Sequence, residues 1–159
     1  MSDELAVFLN RAKRLVVIGM GNELRGDDAI GIEVVRNLKQ YEKDFLKVFE
    51  GHTTPESFIS ASCAAMPTHV LIVDAAELGS KAGDWRLISK DNIKEVMFTT
   101  HAIPPTEIAN QIERRCSAKV AFLCIQPKSR DVRLHISNDA KKAVNEVVSA
   151  ILQNFAEKL

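Results

Sequence analysis

The sequence lacks three features that would each point to a specialised class of protein. Lys+Arg and Asp+Glu both total 21, so there is no positive excess of the kind that nucleic-acid and anionic-membrane surfaces require. No apolar run approaches the ~18 residues of a membrane span, and the first residues lack the charge order of a signal peptide. We therefore expect a cytoplasmic protein that binds neither nucleic acid nor a membrane.

Cysteine is also scarce. The three cysteines, Cys63, Cys116 and Cys124, are an odd number, lie far apart and form no C-x-x-C pair. We expect neither a disulfide framework nor a structural zinc site, which is consistent with a reducing compartment.

What the sequence does contain is a regular alternation of two patterns. Hydrophobic residues make up 46% and charged residues 26%, as is usual for a globular protein. Short apolar runs predict buried strands, and apolar residues at helical spacing predict helices between them. The predicted strands cover 15–18, 46–49, 69–76, 84–89 and 119–125, and the predicted helices lie near 5–12, 30–38, 55–64, 105–116 and 140–155.

Strands that are apolar along their whole length are typical of a parallel sheet covered on both faces. The predicted fold class is therefore α/β: a three-layer sandwich in which helices cover both faces of a mostly parallel, twisted sheet of about five strands. Because no repeat, low-complexity stretch or linker interrupts the pattern, residues 1–159 are expected to form one domain.

Acidic and imidazole side chains follow several of the predicted strands. Asp27 and Asp28 lie in the loop after the first strand, Asp74 ends the third, and His101 precedes the helix near 105. Sheets of this class bind ligands outside the carboxyl ends of their strands, so we expect these side chains at one edge. Two carboxylates and one imidazole, with water in open positions, suit a borderline metal ion.

Each of these residues also has an ordinary structural interpretation. Asp27 is expected to cap the following helix, and Asp28 could simply complement the helix dipole. Asp74 could cap a turn, and a lone histidine such as His101 is more often a hydrogen-bonded loop residue than a ligand. Glu50 could bind a ribose or be solvated. The convergence of these residues on strand ends is what favours a functional site.

The stretch GMGNELRGDDAIG, residues 19–31, begins like a dinucleotide-binding loop. That fingerprint needs glycine at its first, third and sixth positions and an acid about 20 residues further on. Gly19 and Gly21 fit, but Leu24 occupies the sixth position and the distant acid is missing. Asp27 and Asp28 would also repel a pyrophosphate from the helix start, so this interpretation fails on charge as well as spacing.

Five motifs together resemble the hydrogenase maturation endopeptidases. They are GMGNELRGDDAIG, EGHTTPE, LIVDAAELG, TTHAIPP and IQP, in this order and at family-like spacing across residues 15–127. These enzymes remove a C-terminal extension from the large subunit of [NiFe] hydrogenases. The threonine pair before the histidine and the TPE stretch are most similar to the branch that serves hydrogenase 3 of formate hydrogenlyase.

The resemblance implies that Asp28, Asp74 and His101 are both the catalytic residues and the nickel ligands. In this family the nickel is carried by the precursor, and cleavage occurs just beyond the last metal-binding cysteine motif of the precursor. The resemblance assigns the ligand to the second of the two adjacent aspartates, so Asp27 is expected to serve in capping or orientation rather than in binding nickel. His52 departs from the family pattern, in which a second glycine is common, and is an extra ligand, a gate or an exposed side chain.

Other protease signatures are missing from the sequence. No serine lies in a G-x-S-x-G elbow, and no H-E-x-x-H motif is present to hold a resident zinc. Cys63 lies in a predicted helix, and Cys116 and Cys124 lie in or beside buried elements, where a thiol is usually inert. These absences fit an enzyme that reads a metal carried by its substrate. The resemblance implies a nickel-dependent hydrolase of aspartic or metallo type whose partner is the large-subunit precursor, and we expect a monomer.

Two other functions are left open by the residues alone. A non-catalytic nickel-sensing chaperone of hydrogenase assembly could use the same three ligands. A nucleotide- or cofactor-binding α/β enzyme is disfavoured by Leu24 and by the paired aspartates.

Overall fold

The computed structural model describes residues 2–98 and 103–155. Within these ranges the helices and strands follow the predicted alternation. In chain order they are α1 (Ser2–Asn10), β1 (Leu15–Met20), α2 (Ile30–Leu38), β2 (Leu46–His52), α3 (Ile59–Ala64), β3 (His69–Glu77), β4 (Trp85–Ser89), β5 (Met97–Phe98), α4 (Pro105–Cys116), β6 (Lys119–Ile125) and α5 (Asn138–Phe155).

The sheet has the strand order β2-β1-β3-β6-β4. Strands β2, β1, β3 and β6 run parallel, and β4 is antiparallel to β6 at one side of the sheet. This confirms the mostly parallel sheet of about five strands. Strand β5 was not predicted: it pairs with the end of β3 over two residues, which is too short for a sequence pattern.

Both faces of the sheet are covered by helices, as the apolar strands predict. On one face α1, α2 and α5 pack against alternate strand residues such as Val17 and Val73. On the other face α3 and α4 pack against their neighbours Val16 and Ile72. Because successive side chains of a strand point to opposite faces, each strand must be apolar throughout to serve both layers.

The last helix, predicted near 140–155, begins at Asn138. The backbone N–H of Ala140 donates to Oγ of Ser137 at 3.2 Å, and that of Lys141 donates to the Ser137 carbonyl oxygen at 2.9 Å. Ser137 thus caps α5 by accepting from an N–H group that the helix itself leaves unpaired. None of the described helices is long and apolar enough to cross a membrane.

The expectation that the cysteines stay unpaired is wrong. Cys63 at the end of α3 and Cys116 at the end of α4 form a disulfide, with their Cα atoms 5.2 Å apart. The two residues are 53 positions apart in sequence. They meet because α3 and α4 lie side by side on the same face of the sheet, a tertiary contact that cysteine spacing alone does not reveal.

Candidate functional site

The loop after β1 is packed tightly against the ends of two strands. A Cβ at Gly31, in the first turn of α2, would overlap the carbonyl oxygens of Val73 in β3 and Met20 in β1. Gly21 has φ +140°, and a side chain there would overlap the carbonyl oxygen of Asp28. The glycines of this loop therefore allow close packing of backbone on backbone, which explains a glycine-rich loop without a phosphate ligand.

Asp28 lies in a 3₁₀ turn, Gly26–Ala29, that leads into α2. It is 5% exposed, and its Oδ2 accepts the backbone N–H of Asn22 at 3.1 Å. Gly31 follows Asp28 in the chain and packs against the carbonyl oxygen of Val73. This backbone contact brings the turn that carries Asp28 close to the carboxyl end of β3. The next residue of that strand is Asp74.

Asp74 is 2% exposed, and its Oδ1 accepts the backbone N–H of Ala75 at 2.8 Å. It lies opposite Cys124 in the β3–β6 register. Burial, and secondarily the nearby Asp74 carboxylate, raise the pKa of the Cys124 thiol far above its usual range. A buried, protonated thiol is a poor nucleophile, which is consistent with the inert role expected of Cys124.

A small cavity of ≈ 10 Å³ adjoins Asp74. Its walls are mostly apolar and include Met20, Ile72 and Phe122 from three adjacent strands. Pro105, the first residue of α4, also lines it. The space is about that of one water molecule, so Asp74 lies at the bottom of a narrow apolar recess.

His101 falls in residues 99–102, outside the part of the chain that the structure describes. Its meeting with Asp28 and Asp74 therefore stays a prediction. The described residues on both sides of it lie near Asp74: Phe98 pairs with Ala76, and Pro105 lines the cavity beside Asp74.

Asp27 does not cap the following helix, so that expectation is wrong. Neither the 3₁₀ turn nor α2 has a side-chain cap. Instead the buried Asp27 carboxylate accepts the backbone N–H of Lys128 at 2.8 Å, and the backbone N–H and hydroxyl of Ser137 at 2.6 and 2.7 Å. It holds the segment between β6 and α5 onto the loop after β1, a long-range role with no local signal in the sequence.

Glu50 and His52 belong to a separate, more exposed group. Together with Glu23 they place one potential ligand atom each within 4.8 Å of one another. Nη2 of Arg36 lies 2.9 Å from Glu50 and 3.0 Å from Glu23, and hydrogen bonds to these two carboxylates raise the pKa of Arg36. Arg36 offsets one of the two negative charges, so this group is a partly exposed ion-pair network in which Glu50 is paired rather than merely solvated.

His52 lies in the left-handed region with φ +50°, and its imidazole is 3.6 Å from both Glu23 and Glu50. Left-handed backbone favours glycine, so the glycine that is common at this position in related sequences has a conformational reason. The side chain is 44% exposed, so of the three interpretations of His52 the exposed side chain fits best.

Gln126, in the IQP motif, was given no role by sequence reasoning. It is 7% exposed, its Oε1 accepts the backbone N–H of Leu78 at 2.7 Å, and its Nε2 donates to Glu77 at 2.9 Å. The side chain thus ties the end of β6 to the end of β3 beside the candidate site. A polar residue directly after a buried strand was the available signal.

The protein is a three-layer α/β sandwich. Two buried carboxylates, Asp28 in the turn after β1 and Asp74 in β3, lie at the edge of the sheet where the parallel strands end. The chain belongs to the HycI family of hydrogenase maturation proteases. The family model, described as "HycI: Hydrogenase maturation protease", matches residues 32–154.

Full-length relatives agree with this assignment. The chain is 33% identical over 165 residues to a putative hydrogenase maturation protease of Methanocaldococcus jannaschii, covering 99% of this chain and 97% of the relative. It is 33% identical to the hydrogenase 3 maturation protease of Escherichia coli strain K12, covering 83% of this chain and 85% of that protein.

Solved structures show the same fold. The crystal structure of the [NiFe] hydrogenase maturation protease HycI from Thermococcus kodakarensis superposes with a TM-score of 0.88 at 24% identity, covering 96% and 99% of the two chains. The solution structure of the endopeptidase HycI from Escherichia coli gives 0.75 at 32% identity, covering 86% and 87%.

Proposed function

We propose that this protein is an endopeptidase that removes the C-terminal extension of a [NiFe] hydrogenase large-subunit precursor after nickel insertion. Asp28, Asp74 and His101 contact the nickel that the precursor carries. Membership of the maturation protease family supports the peptidase activity. We place the reaction in the cytoplasm and expect a monomer that docks transiently on its precursor.

The observation that carries the proposal is the packing of the Asp28 turn on the end of β3. Of the described residues, the buried acidic ones are Asp27, Asp28 and Asp74. Asp27 binds the segment before α5 through both of its oxygens, which leaves it a structural role. Asp28 lies in the turn after β1 and Asp74 lies in the neighbouring strand β3, at the edge where sheets of this class bind ligands.

The chain on either side of residues 99–102 supports the place of His101 in this site. Phe98 pairs with Ala76, two residues after Asp74, and α4 begins at Pro105 beside the same cavity. Six residues, 99–104, connect Phe98 to Pro105, and each spans at most about 3.5 Å of extended chain. The contacts of the chain on both sides of residues 99–102 are compatible with the role proposed for His101 beside Asp74.

The ligand set suits a protein that reads a metal without removing it. Carboxylate and imidazole groups bind nickel less tightly than the thiolates of a precursor's cysteines. A divalent ion carried by the precursor would bring positive charge to the two buried carboxylates, and charges in a low-dielectric site interact strongly. A precursor without nickel offers no such compensation, so docking at this edge depends on completed metal insertion.

The direct test is to incubate the purified protein with nickel-loaded and with nickel-free large-subunit precursor and to follow the gel shift to the shorter form. We expect cleavage of the loaded precursor alone. Equal cleavage of both would remove the metal-reading step. Cleavage of neither, with nickel-dependent binding retained, would favour the assembly chaperone over the peptidase.

A further inference from the structure

A second surface adjoins the candidate site and is built by the segment between β6 and α5. Residues 128–135, here called the edge segment, lie over the turn that carries Asp28. The N–H of Gly26 donates to the carbonyl oxygen of Arg133 at 3.0 Å, that of Asp27 to Ser129 at 3.0 Å, and that of Arg133 to Leu24 at 3.0 Å. The edge segment is thus attached to the loop of the candidate site by backbone hydrogen bonds.

Arg130, within the edge segment, has an unsatisfied guanidinium. Its Nε and Nη2 are shielded from solvent, yet neither finds a hydrogen-bond acceptor in residues 2–98 and 103–155. Buried polar groups are nearly always paired, and an unpaired guanidinium N–H is costly. These two nitrogens form one edge of the guanidinium, the edge that binds both oxygens of a carboxylate at once.

Positive charge is concentrated around Arg130. Arg25, Lys128, Arg130 and Arg133 lie in or next to the edge segment together with one acid of the segment, Asp131, while the nearby Asp27 and Asp28 carboxylates are buried. Lys128 has a partner, Asp139 at 3.8 Å. Among the residues that the structure describes, no carboxylate lies within 4.0 Å of the guanidinium groups of Arg25, Arg130 or Arg133, although Arg25 does donate to the carbonyl oxygen of Arg130 at 3.3 Å.

The same surface is unusually apolar for an exposed loop. Leu24, Val132 and Leu134 are 58%, 85% and 73% exposed and account for three of the six large hydrophobic side chains that are exposed in the described part of the chain. Exposed apolar side chains next to unpaired cations are typical of a surface that binds a partner, since each is unfavourable in the free protein.

We propose that the edge segment is the docking surface for an acidic, apolar stretch of the precursor polypeptide, and that Arg130 binds one of its carboxylates through Nε and Nη2. This rests on the proposed function, because it names how the precursor is held beside Asp28. Leu24, Val132 and Leu134 contact the apolar side chains of the stretch, and Arg25 and Arg133 add attraction for its negative charge. Because both nitrogens are shielded in the free protein, binding of the carboxylate requires the exposed residues 131–135 beside Arg130 to move.

The first test compares steady-state cleavage of nickel-loaded precursor by the wild type and by Arg130→Gln. We expect KM to rise roughly tenfold or more while kcat stays within about twofold, because docking is lost and the ligands of the nickel are kept. Arg130→Lys keeps the positive charge but loses the two parallel N–H donors of the guanidinium, so its KM is expected to rise as well. Arg11→Gln, an exposed arginine before β1 at the opposite edge of the sheet, is the matched control and should match the wild type.

The second test separates docking from a merely structural role. Because the guanidinium makes no hydrogen bond in the described structure, Arg130→Gln is expected to melt at or above the wild-type temperature. Binding of the precursor to immobilised protein should weaken in Arg130→Gln and in Val132→Ser/Leu134→Ser, whether or not cleavage occurs.

The proposal is overturned if Arg130→Gln has the KM and the precursor affinity of the wild type. It is also overturned if Arg11→Gln raises KM and weakens precursor binding as much as Arg130→Gln does. A melting temperature of Arg130→Gln well below that of the wild type would overturn it as well. The proposed function fails separately, if the wild type binds the precursor through Arg130 but never cleaves it.

Discussion

Asp27 and Ser137 are joined by two hydrogen bonds across 110 positions of sequence, one from the backbone N–H at 2.6 Å and one from the hydroxyl at 2.7 Å. Hydrogen bonds to a buried carboxylate are among the stronger ones in proteins. We therefore expect Asp27→Asn to lower the free energy of unfolding by about 2–3 kcal/mol. Urea denaturation of Asp27→Asn beside the wild type measures this, and an unchanged midpoint would contradict the role assigned to Asp27.

The neighbouring aspartate is expected to behave in the opposite way. Asp28→Asn and Asp74→Asn should abolish precursor cleavage, because an amide is a poor metal ligand, and should leave the unfolding midpoint near that of the wild type. Asparagine keeps the size of the side chain and one acceptor oxygen for the backbone N–H of Asn22 or of Ala75. His101→Ala should likewise abolish cleavage. Circular dichroism checks the fold of each variant, and its collapse in Asp28→Asn or Asp74→Asn would point to a structural role instead.

Gly31 offers a test of the packing that brings the Asp28 turn to β3. Gly31→Ala should cost about 2–3 kcal/mol, because its Cβ would overlap the carbonyl oxygens of Val73 and Met20. The better helix propensity of alanine offsets only about 1 kcal/mol of this. Gly79→Ala is the control: nothing lies within 4 Å of its Cβ, so its φ of +69° alone should cost about 1 kcal/mol. Equal losses in the two variants would refute the close packing.

The disulfide between Cys63 and Cys116 is expected to stabilise the protein by lowering the conformational entropy of the unfolded chain. For cysteines 53 positions apart, the loss of chain entropy corresponds to about 4 kcal/mol. A reductant should therefore lower the urea midpoint of the wild type but not that of Cys63→Ala/Cys116→Ala. Thiol titration of the unfolded, unreduced protein should find one reactive cysteine, Cys124, and three would show that the disulfide does not form.

His52 tests whether the exposed ion-pair group takes part in the reaction. His52→Gly should retain cleavage and gain up to about 1 kcal/mol, because glycine relieves the left-handed strain at φ +50° while adding freedom to the unfolded chain. His52→Ala keeps the strain and should be less stable than His52→Gly. A His52→Gly variant that folds but does not cleave would place His52 in the active site.

The sequence predicted the layers of this fold well. A strand covered by helices on both faces needs apolar side chains along its whole length, and the long strands show this pattern. The strand 69–76 and the helix 30–38 were placed to within about a residue of their observed ends. Elements set by tertiary pairing were missed: β5 exists only through its contact with β3, and the Cys63–Cys116 disulfide only through the neighbouring positions of α3 and α4.

The candidate site was predictable for a related reason. Because parallel strands end at one edge, Asp28 and Asp74 could be placed near each other from their positions after β1 and near the carboxyl end of β3. The functions of Asp27 and Arg36 could not be found this way. Asp27 faces a segment about 100 residues away, and Arg36 joins Glu23 of the loop after β1 to Glu50 of β2, so neither contact leaves a local pattern.

The central claim is that Asp28, Asp74 and His101 surround one ion. Crystals of the protein soaked in Ni²⁺ and measured at the nickel absorption edge test it directly through the anomalous difference map. The account predicts a peak in coordination contact with carboxylate oxygens of both Asp28 and Asp74 and with the imidazole of His101. A peak among Glu23, Glu50 and His52, or one that touches only one of the two buried aspartates, would contradict it.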